Sequence, residues 1–329
     1  MMKSIIAVTL SLASIFVACR EEDSNPIANV SSQITLDQTI HDIVNQTNLD
    51  SITTSVKQLT GAASVTIDGI TDTITSRYPA QKGHALAVTY LTQKLASYGL
   101  TPLADSFNTA SLVTSNRAVN ITARMTGTEF PTDVYIICAH YDAIAFAAAP
   151  GADDNGSGTA AVLEAARILS HYQTKYTLVF ALWDQEEEGY FGSSYYVNNI
   201  PASGDSIMGV VNIDMIGYDS NDDGMIDIHT ANVGWSVPLA DTLVYIINRY
   251  GLALDPVVHN PGADNSDNGP FWWNGYSAVA YSEAHNGGDF NPYYHTVKDK
   301  IDYFNSRYFL NCSKLGVAAI SLLGAPSPK

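Results

Sequence analysis

Two imidazoles and a set of carboxylates are the residues in this sequence whose types could do chemistry together. They fall in short, separated groups: His140-Tyr141-Asp142, Asp153-Asp154, Glu186-Glu187-Glu188, Asp214 and His295. Imidazole nitrogen and carboxylate oxygen, with no thiolate among them, suit a pair of divalent cations, zinc first because it binds both donor types well. Taken singly, a histidine at a strand end is an ordinary core or surface residue and an acidic triplet an ordinary solvated turn. The reading therefore depends on whether the fold brings the groups to one place.

Hydrophobic patterning supplies the elements that must do this. Apolar residues three and four apart predict helices over Leu36 to Leu59, Lys82 to Tyr98, Gly156 to Tyr172, Val237 to Tyr250 and Arg307 to Leu323. Continuous β-branched and aromatic runs predict strands buried on both faces over Val119 to Met125, Val134 to Ala139, Thr177 to Trp183, Val210 to Ile216 and Ala278 to Ser282. Alternation of such strands with helices implies an α/β fold with a mainly parallel sheet covered on both sides. Ligands of such sheets gather beyond the carboxyl ends of the strands. One predicted strand runs into His140-Tyr141-Asp142, another into Asp184-Gln185-Glu186-Glu187-Glu188 and a third into Asp214, while Gly151-Ala152-Asp153-Asp154 and Tyr294-His295-Thr296 each precede a helix. The candidate ligands thus converge on one edge.

Composition narrows the classes of partner. In 329 residues, 16 Lys and Arg stand against 33 Asp and Glu, a formal charge of −17, which removes the electrostatic footing that nucleic-acid binding needs. Lys3 followed by the apolar run Ile5 to Ala18 has the layout of a secretory signal over residues 1–18. The junction Phe16-Val17-Ala18-Cys19 resembles the lipobox of bacterial lipoproteins, so a lipidated Cys19 would hold an exported protein at the membrane, on the periplasmic or cell-surface side. Residues 19–34 are polar and read as a spacer, and residues 35–325 as one domain. The remaining Cys138 and Cys312 lack metal-ligand spacing and read as two buried small hydrophobes.

The motifs HYD at His140, PGADDNGSG from Pro150, EEEGYFGS from Glu186, NIDMIGYD from Asn212 and YHTVKD from Tyr294 carry a family resemblance. In that order they resemble the secreted two-zinc aminopeptidases, in the superfamily that includes glutamate carboxypeptidases, glutaminyl cyclases and non-catalytic transferrin receptors. The resemblance implies a single-domain three-layer α/β/α sandwich with a mainly parallel mixed central sheet. It also implies two zinc ions per chain: His140 and Asp214 on one, Glu187 and His295 on the other, Asp153 bridging them, and Asp154 following Asp153 through a cis peptide bond. Glu186 would be the general base, and Asp142 would hold the His140 ring in the metal-binding tautomer. The glutamate register follows from the family's metal ligand lying two residues before the glycine, here Gly189, which leaves Glu188 outside the site. A water between the metals would lose its proton to Glu186 as it attacks a peptide carbonyl, and Glu186 would then protonate the leaving amine.

The implied activity is removal of N-terminal residues from peptides. Single-zinc glutaminyl cyclase chemistry is the alternative on the same scaffold, as is carboxypeptidase or dipeptidase specificity; a receptor-like protein would be expected to have lost ligands. The family often has Ser-Asp-His where this chain has Ser266-Asp267-Asn268, so Asn268 is expected either to donate to an oxyanion or to cap a helix. No tyrosine in Pro261 to Asn265 matches the one that serves the oxyanion in some relatives. Asp219 to Asp227 has calcium-loop spacing without the closing glutamate, so an Asp-Gly turn between two strands is the better reading. Trp272-Trp273 reads as packing.

Overall fold

The computed structural model describes residues 26–110, 117–145 and 148–329, with side chains from residue 35 onward. The signal segment 1–18 and Cys19 lie outside the described residues. Eight strands form the central sheet: β1 (Pro102–Asn108), β2 (Arg117–Met125), β3 (Phe130–His140), β4 (Tyr176–Trp183), β5 (Ser206–Ile213), β6 (Met225–His229), β7 (Asp255–His259) and β8 (Ala278–Glu283). Their order across the sheet is β7-β6-β8-β5-β3-β4-β2-β1. The central run β8-β5-β3-β4 is parallel throughout, so its carboxyl ends share one edge. Antiparallel pairings at β6 with β8, β2 with β4 and β1 with β2 make the sheet mixed.

Among the described residues eight α-helices flank it: α1 (Pro26–Val44), α2 (Leu49–Leu59), α3 (Lys82–Ser97), α4 (Gly158–Leu169), α5 (Phe191–Ser203), α6 (Ser236–Tyr250), α7 (Asn268–Trp273) and α8 (Ser306–Gly324). Alternate residues of the central strands serve opposite layers. Val134, Ile136, Cys138, Val179, Ala181 and Trp183 pack against Val197 and Ile200 of α5 and Phe271 and Trp272 of α7. Their neighbours Tyr135, Ile137, Ala139, Phe180 and Leu182 pack against the helices of the other layer, chiefly α4 and α8. The result is a three-layer α/β/α sandwich. With each buried aliphatic side chain contributing about 1.5–3 kcal/mol, polar groups are driven out of the sheet centre and collect at its edge. Cys138 and Cys312 are both buried and unbridged.

The structure departs from the patterning in identifiable places. The described part of α1 runs from Pro26 to Val44, so residues 26–34, read as spacer, belong to a helix. The single helix expected over Leu36 to Leu59 is two, because the Asn48 side chain accepts from Ser51 N at 2.9 Å and starts α2 afresh. The strands β1, β6 and β7 lie outside the parallel centre and were not predicted. Among the described residues no helix is long and apolar enough to cross a membrane.

Candidate metal centre

The carboxyl ends of β3, β4 and β5 deliver His140, Glu186-Glu187 and Asp214 to one place, joined from the loops by Asp154 and His295. Two ligand-like groups result: His140, Glu186 and Asp214, and Asp154, Glu187 and His295. His140 Nε2 lies 3.3 Å from Asp154 Oδ1, 3.4 Å from Asp214 Oδ1 and 3.9 Å from Glu186 Oε2. His295 Nε2 lies 3.1 Å from Asp154 Oδ2 and 2.8 Å from Glu187 Oε2. One carboxylate, that of Asp154, therefore faces both imidazoles, with a different oxygen toward each.

This corrects the assignment of Asp153 as the bridge. The Asp153 carboxylate turns into the scaffold, where Oδ1 accepts from Gly217 N at 2.7 Å and Oδ2 from Asn291 Nδ2 at 3.0 Å. Its oxygens are taken by N–H donors, and the next residue supplies the carboxylate to the site. The cis peptide bond falls at Asp154-Asn155 rather than Asp153-Asp154. Asp299 holds this turn, its carboxylate accepting from the backbone N–H groups of Asp153 and Asp154 at 3.0 Å each.

The Asp142 carboxylate lies between the His140 ring and the backbone of the glutamates. Its Oδ1 lies 3.4 Å from His140 Nδ1, and its two oxygens accept from the backbone N–H groups of Glu186 and Glu187 at 3.1 and 3.3 Å. Ser266 Oγ donates to Asp214 Oδ2 at 2.6 Å. Arg77, fully buried, donates to the carbonyls of Tyr141, Leu59, Pro150 and Gly151, and so ties the His140 strand end to the loop that carries Asp154. Gly151 enters that loop at φ +53°, and Gly158 lets α4 start against Asn155 and the Ile213 carbonyl, where a Cβ would collide. Gln185, Met215 and His295 adopt left-handed backbone at φ 54°, 56° and 56°, an arrangement found where neighbouring structure forces a functional geometry. Arg77, Ser266 and Asp299 went unassigned in the sequence. Asp299 closes the YHTVKD motif and Ser266 stands in the Ser-Asp-Asn segment, whereas nothing in spacing marks Arg77.

The electrostatics are those of clustered carboxylates. Burial, then the Asp154 charge, pushes Glu187 up to about 8 against the pull of His295. Burial likewise raises Glu186 well above its usual range; His140 opposes this, and Glu187, Asp267 and Asp214 add to it. Burial disfavours charge on His295, yet Asp154 and Glu187 raise it to about 10. Asp154 goes the other way: burial is overcome by His140 and His295, which hold it below the carboxylate range. Buried Asp267 is raised to about 7 by burial, with His140 opposing. Four carboxylates against two imidazoles leave an excess of buried negative charge that divalent cations would neutralise. Asp214 Oδ1, Glu187 Oε1 and Asp154 Oδ2 are buried without hydrogen bonds, as acceptors turned toward a cation would be.

A cavity of about 300 Å³ opens beside these groups, lined also by Met215, His229, Asn268, His285, Phe290 and Tyr294. Tyr294 stacks on His295 with ring centroids 3.6 Å apart. Burial, and after it the charges of Asp154, Glu187, Asp214 and Glu186, raise its phenol, which stays a protonated donor. This tyrosine lies next to His295 rather than in Pro261 to Asn265. Asn268 neither caps α7 nor points a donor at the site, because its Nδ2 is used on the Ala263 carbonyl at 2.9 Å. The Asp219 to Asp223 loop joins β5 to β6, which are not paired; Gly224 N–H and Asn305 Nδ2 donate to Asp219 Oδ2, and Asn305 Nδ2 donates to Asp222 Oδ1 as well. Trp272 is buried packing, whereas Trp273 is exposed and donates to Asp264 Oδ2 at 2.9 Å.

A family comparison gives this arrangement its class. The model of peptidase family M28 matches residues 120–320, and the chain belongs to that family. It is 30% identical over 274 residues to leupeptin-inactivating enzyme 1 of Streptomyces exfoliatus, covering 77% of this chain and 58% of that protein. The chain spans 24% to 58% of the length of the first curated relatives it matches. Among solved structures, the LapA aminopeptidase of Legionella pneumophila has a TM-score of 0.71 at 22% identity, over 93% of this chain and 78% of that one. A glutaminyl cyclase of Bacteroides thetaiotaomicron has a TM-score of 0.67 at 18% identity, over 84% of this chain and 98% of that one. These structures share the fold.

Proposed function

We propose that the chain is a zinc aminopeptidase that hydrolyses the N-terminal residue from peptides with two zinc ions. The observation that carries this is Asp154, whose two oxygens face His140 and His295 at 3.3 and 3.1 Å and so link two ligand sets. His140 and Asp214 would hold one ion, Glu187 and His295 the other, and Asp154 both. Zinc bound there would polarise the substrate carbonyl and acidify the attacking water. The chain's own residues would do the rest. Glu186, the farthest of the three carboxylates within 4 Å of His140 Nε2 at 3.9 Å, is placed to take the proton of that water and return it to the leaving amine. Asp142 holds the Glu186 and Glu187 amides in register, and the Tyr294 phenol is a donor for charge developing on the carbonyl oxygen. A one-zinc cyclase would leave one of the two ligand sets without a role.

Incubating the purified protein with a mixed peptide library, read by mass spectrometry, tests the reading. Peptides that lose single residues from the N-terminus support it. Shortening from the C-terminus, or deamidative closure of N-terminal glutamine alone, contradicts it.

The Phe16-Val17-Ala18-Cys19 junction supports export and lipid anchoring of this activity. Cys19→Ser should move the protein from the membrane fraction to the soluble one at unchanged specific activity; a variant that still pellets with membranes refutes the anchor.

A further inference from the structure

Among the residues that line the cavity, His229 and Asn268 are two buried polar groups that catalysis does not use. His229 is 7% exposed and Asn268 1% exposed, and both are fixed by the backbone of one residue, Ala263. Ala263 N–H donates to His229 Nδ1 at 3.2 Å. A ring nitrogen that accepts carries no proton, so the neutral ring has its hydrogen on Nε2. Burial, with Asp227 opposing, lowers His229 to about 4 and keeps the ring neutral. On the other side, the Ala263 carbonyl accepts from Asn268 Nδ2 at 2.9 Å. A carbonyl cannot donate, so the amide orientation is settled and Asn268 Oδ1 faces away from Ala263. That oxygen is buried and meets no donor among the described residues. These two lining residues therefore hold one N–H donor, His229 Nε2, and one unmatched buried acceptor, Asn268 Oδ1.

We propose that this wall selects peptides whose N-terminal side chain is a carboxamide, with His229 Nε2 donating to its oxygen and Asn268 Oδ1 accepting from its nitrogen. Asparagine and glutamine carry both complements on one planar group. An aliphatic side chain leaves both wall groups unmatched after desolvation, and sites built around hydrogen bonds discriminate strongly against analogues that lack them. A carboxylate side chain would set oxygen against Asn268 Oδ1 and bring charge toward Asp214, Glu186 and Asp264, which line the same cavity. A lysine or arginine side chain could satisfy Asn268 and Asp264 but would turn a cation toward the His229 N–H. The inference rests on the aminopeptidase reading and deepens it by naming the side chain.

The test is kcat/KM of the zinc-loaded protein on matched dipeptides bearing N-terminal Asn, Gln, Leu, Met, Glu or Lys. Calorimetric binding of free L-asparagine and L-leucine, which needs no turnover, accompanies it. Asparagine and glutamine should exceed the near-isosteric leucine and methionine by about tenfold or more, and asparagine should bind more tightly than leucine. His229→Phe should bring the Asn-to-Leu ratio toward one, and His229→Gln, which keeps a side-chain N–H, should restore much of it. Asn268→Leu should also lower the ratio, read only on protein whose melting temperature and zinc content match the parent. Preference for leucine, methionine, glutamate or lysine overturns the proposal, as does a ratio unmoved by both His229→Phe and Asn268→Leu. If no dipeptide is cleaved while asparagine still binds more tightly than leucine, the aminopeptidase reading falls and the wall's assignment stands.

Discussion

Glu186 and Glu187 are adjacent, and the two oxygens of Asp142 hold their backbone amides so that one carboxylate turns toward His140 and Asp214 and the other toward His295 and Asp154. That division gives each a separable consequence. Glu186→Gln removes a proton acceptor but no close ligand, so zinc content should stay near normal while kcat falls by about 10²–10⁴. Glu187→Gln removes an anionic ligand 2.8 Å from His295, so zinc content and turnover should fall together, with partial recovery in excess zinc. Glu188→Gln, outside both ligand groups, should change little. Zinc content measured beside turnover for the three variants checks this, and an inactive, metal-replete Glu188→Gln protein would move the base by two residues. The register of the three adjacent glutamates was implied by the family resemblance, counted back from Gly189. The neighbouring aspartates could not be resolved that way. Which of Asp153 and Asp154 meets the imidazoles depends on which carboxylate Gly217 and Asn291 capture, and those donors come from distant parts of the chain.

At the scale of elements, the centre depends on the ends of β3, β4 and β5 staying in register with the loop that carries Asp154, and Arg77 spans that gap. Arg77→Met would leave the carbonyls of Leu59, Tyr141 and Pro150 without this donor, at a cost of about 1–3 kcal/mol for each group left unsatisfied, while Gly151 keeps its bond from the Gly156 N–H. We expect a lower melting temperature and weaker zinc retention together, with little rescue by Arg77→Lys, because an ammonium cannot reproduce the planar fork. Thermal unfolding and zinc titration of the two variants check this; a lysine variant indistinguishable from the parent would refute the clamp. The central strands could be read from the sequence because burial on both faces leaves long apolar runs. β1, β6 and β7 could not: β1 and β7 each contain a proline, and Pro102-Leu103-Ala104-Asp105 is mostly exposed or half-exposed. α5 escaped for a similar reason, with polar Ser, Tyr and Asn around a small buried set and Pro201 inside. No local pattern marks an element whose stability comes from what it packs against.

For the molecule as a whole, the buried carboxylates make stability and metal content one quantity. A cation bound only by the folded chain stabilises it by about 4 kcal/mol at a thousandfold excess over its Kd. Exhaustive chelation should therefore abolish activity and lower the melting temperature in the same experiment, and both should return on zinc addition. Activity that survived chelation would remove the metal mechanism. The strongly acidic surface is separate from this, because the formal charge of −17 belongs to the whole sequence whereas the centre is four carboxylates and two imidazoles at one sheet edge.

Asp154 is proposed to join two zinc sites, with Asp153 serving only the scaffold. Zinc per chain, counted by atomic emission in the parent, Asp154→Asn and Asp153→Asn proteins after dialysis, tests it most directly. The parent should hold two zinc ions, Asp154→Asn should lose both, and folded Asp153→Asn should keep them. One zinc in the parent, or two retained by Asp154→Asn and lost by Asp153→Asn, would contradict it.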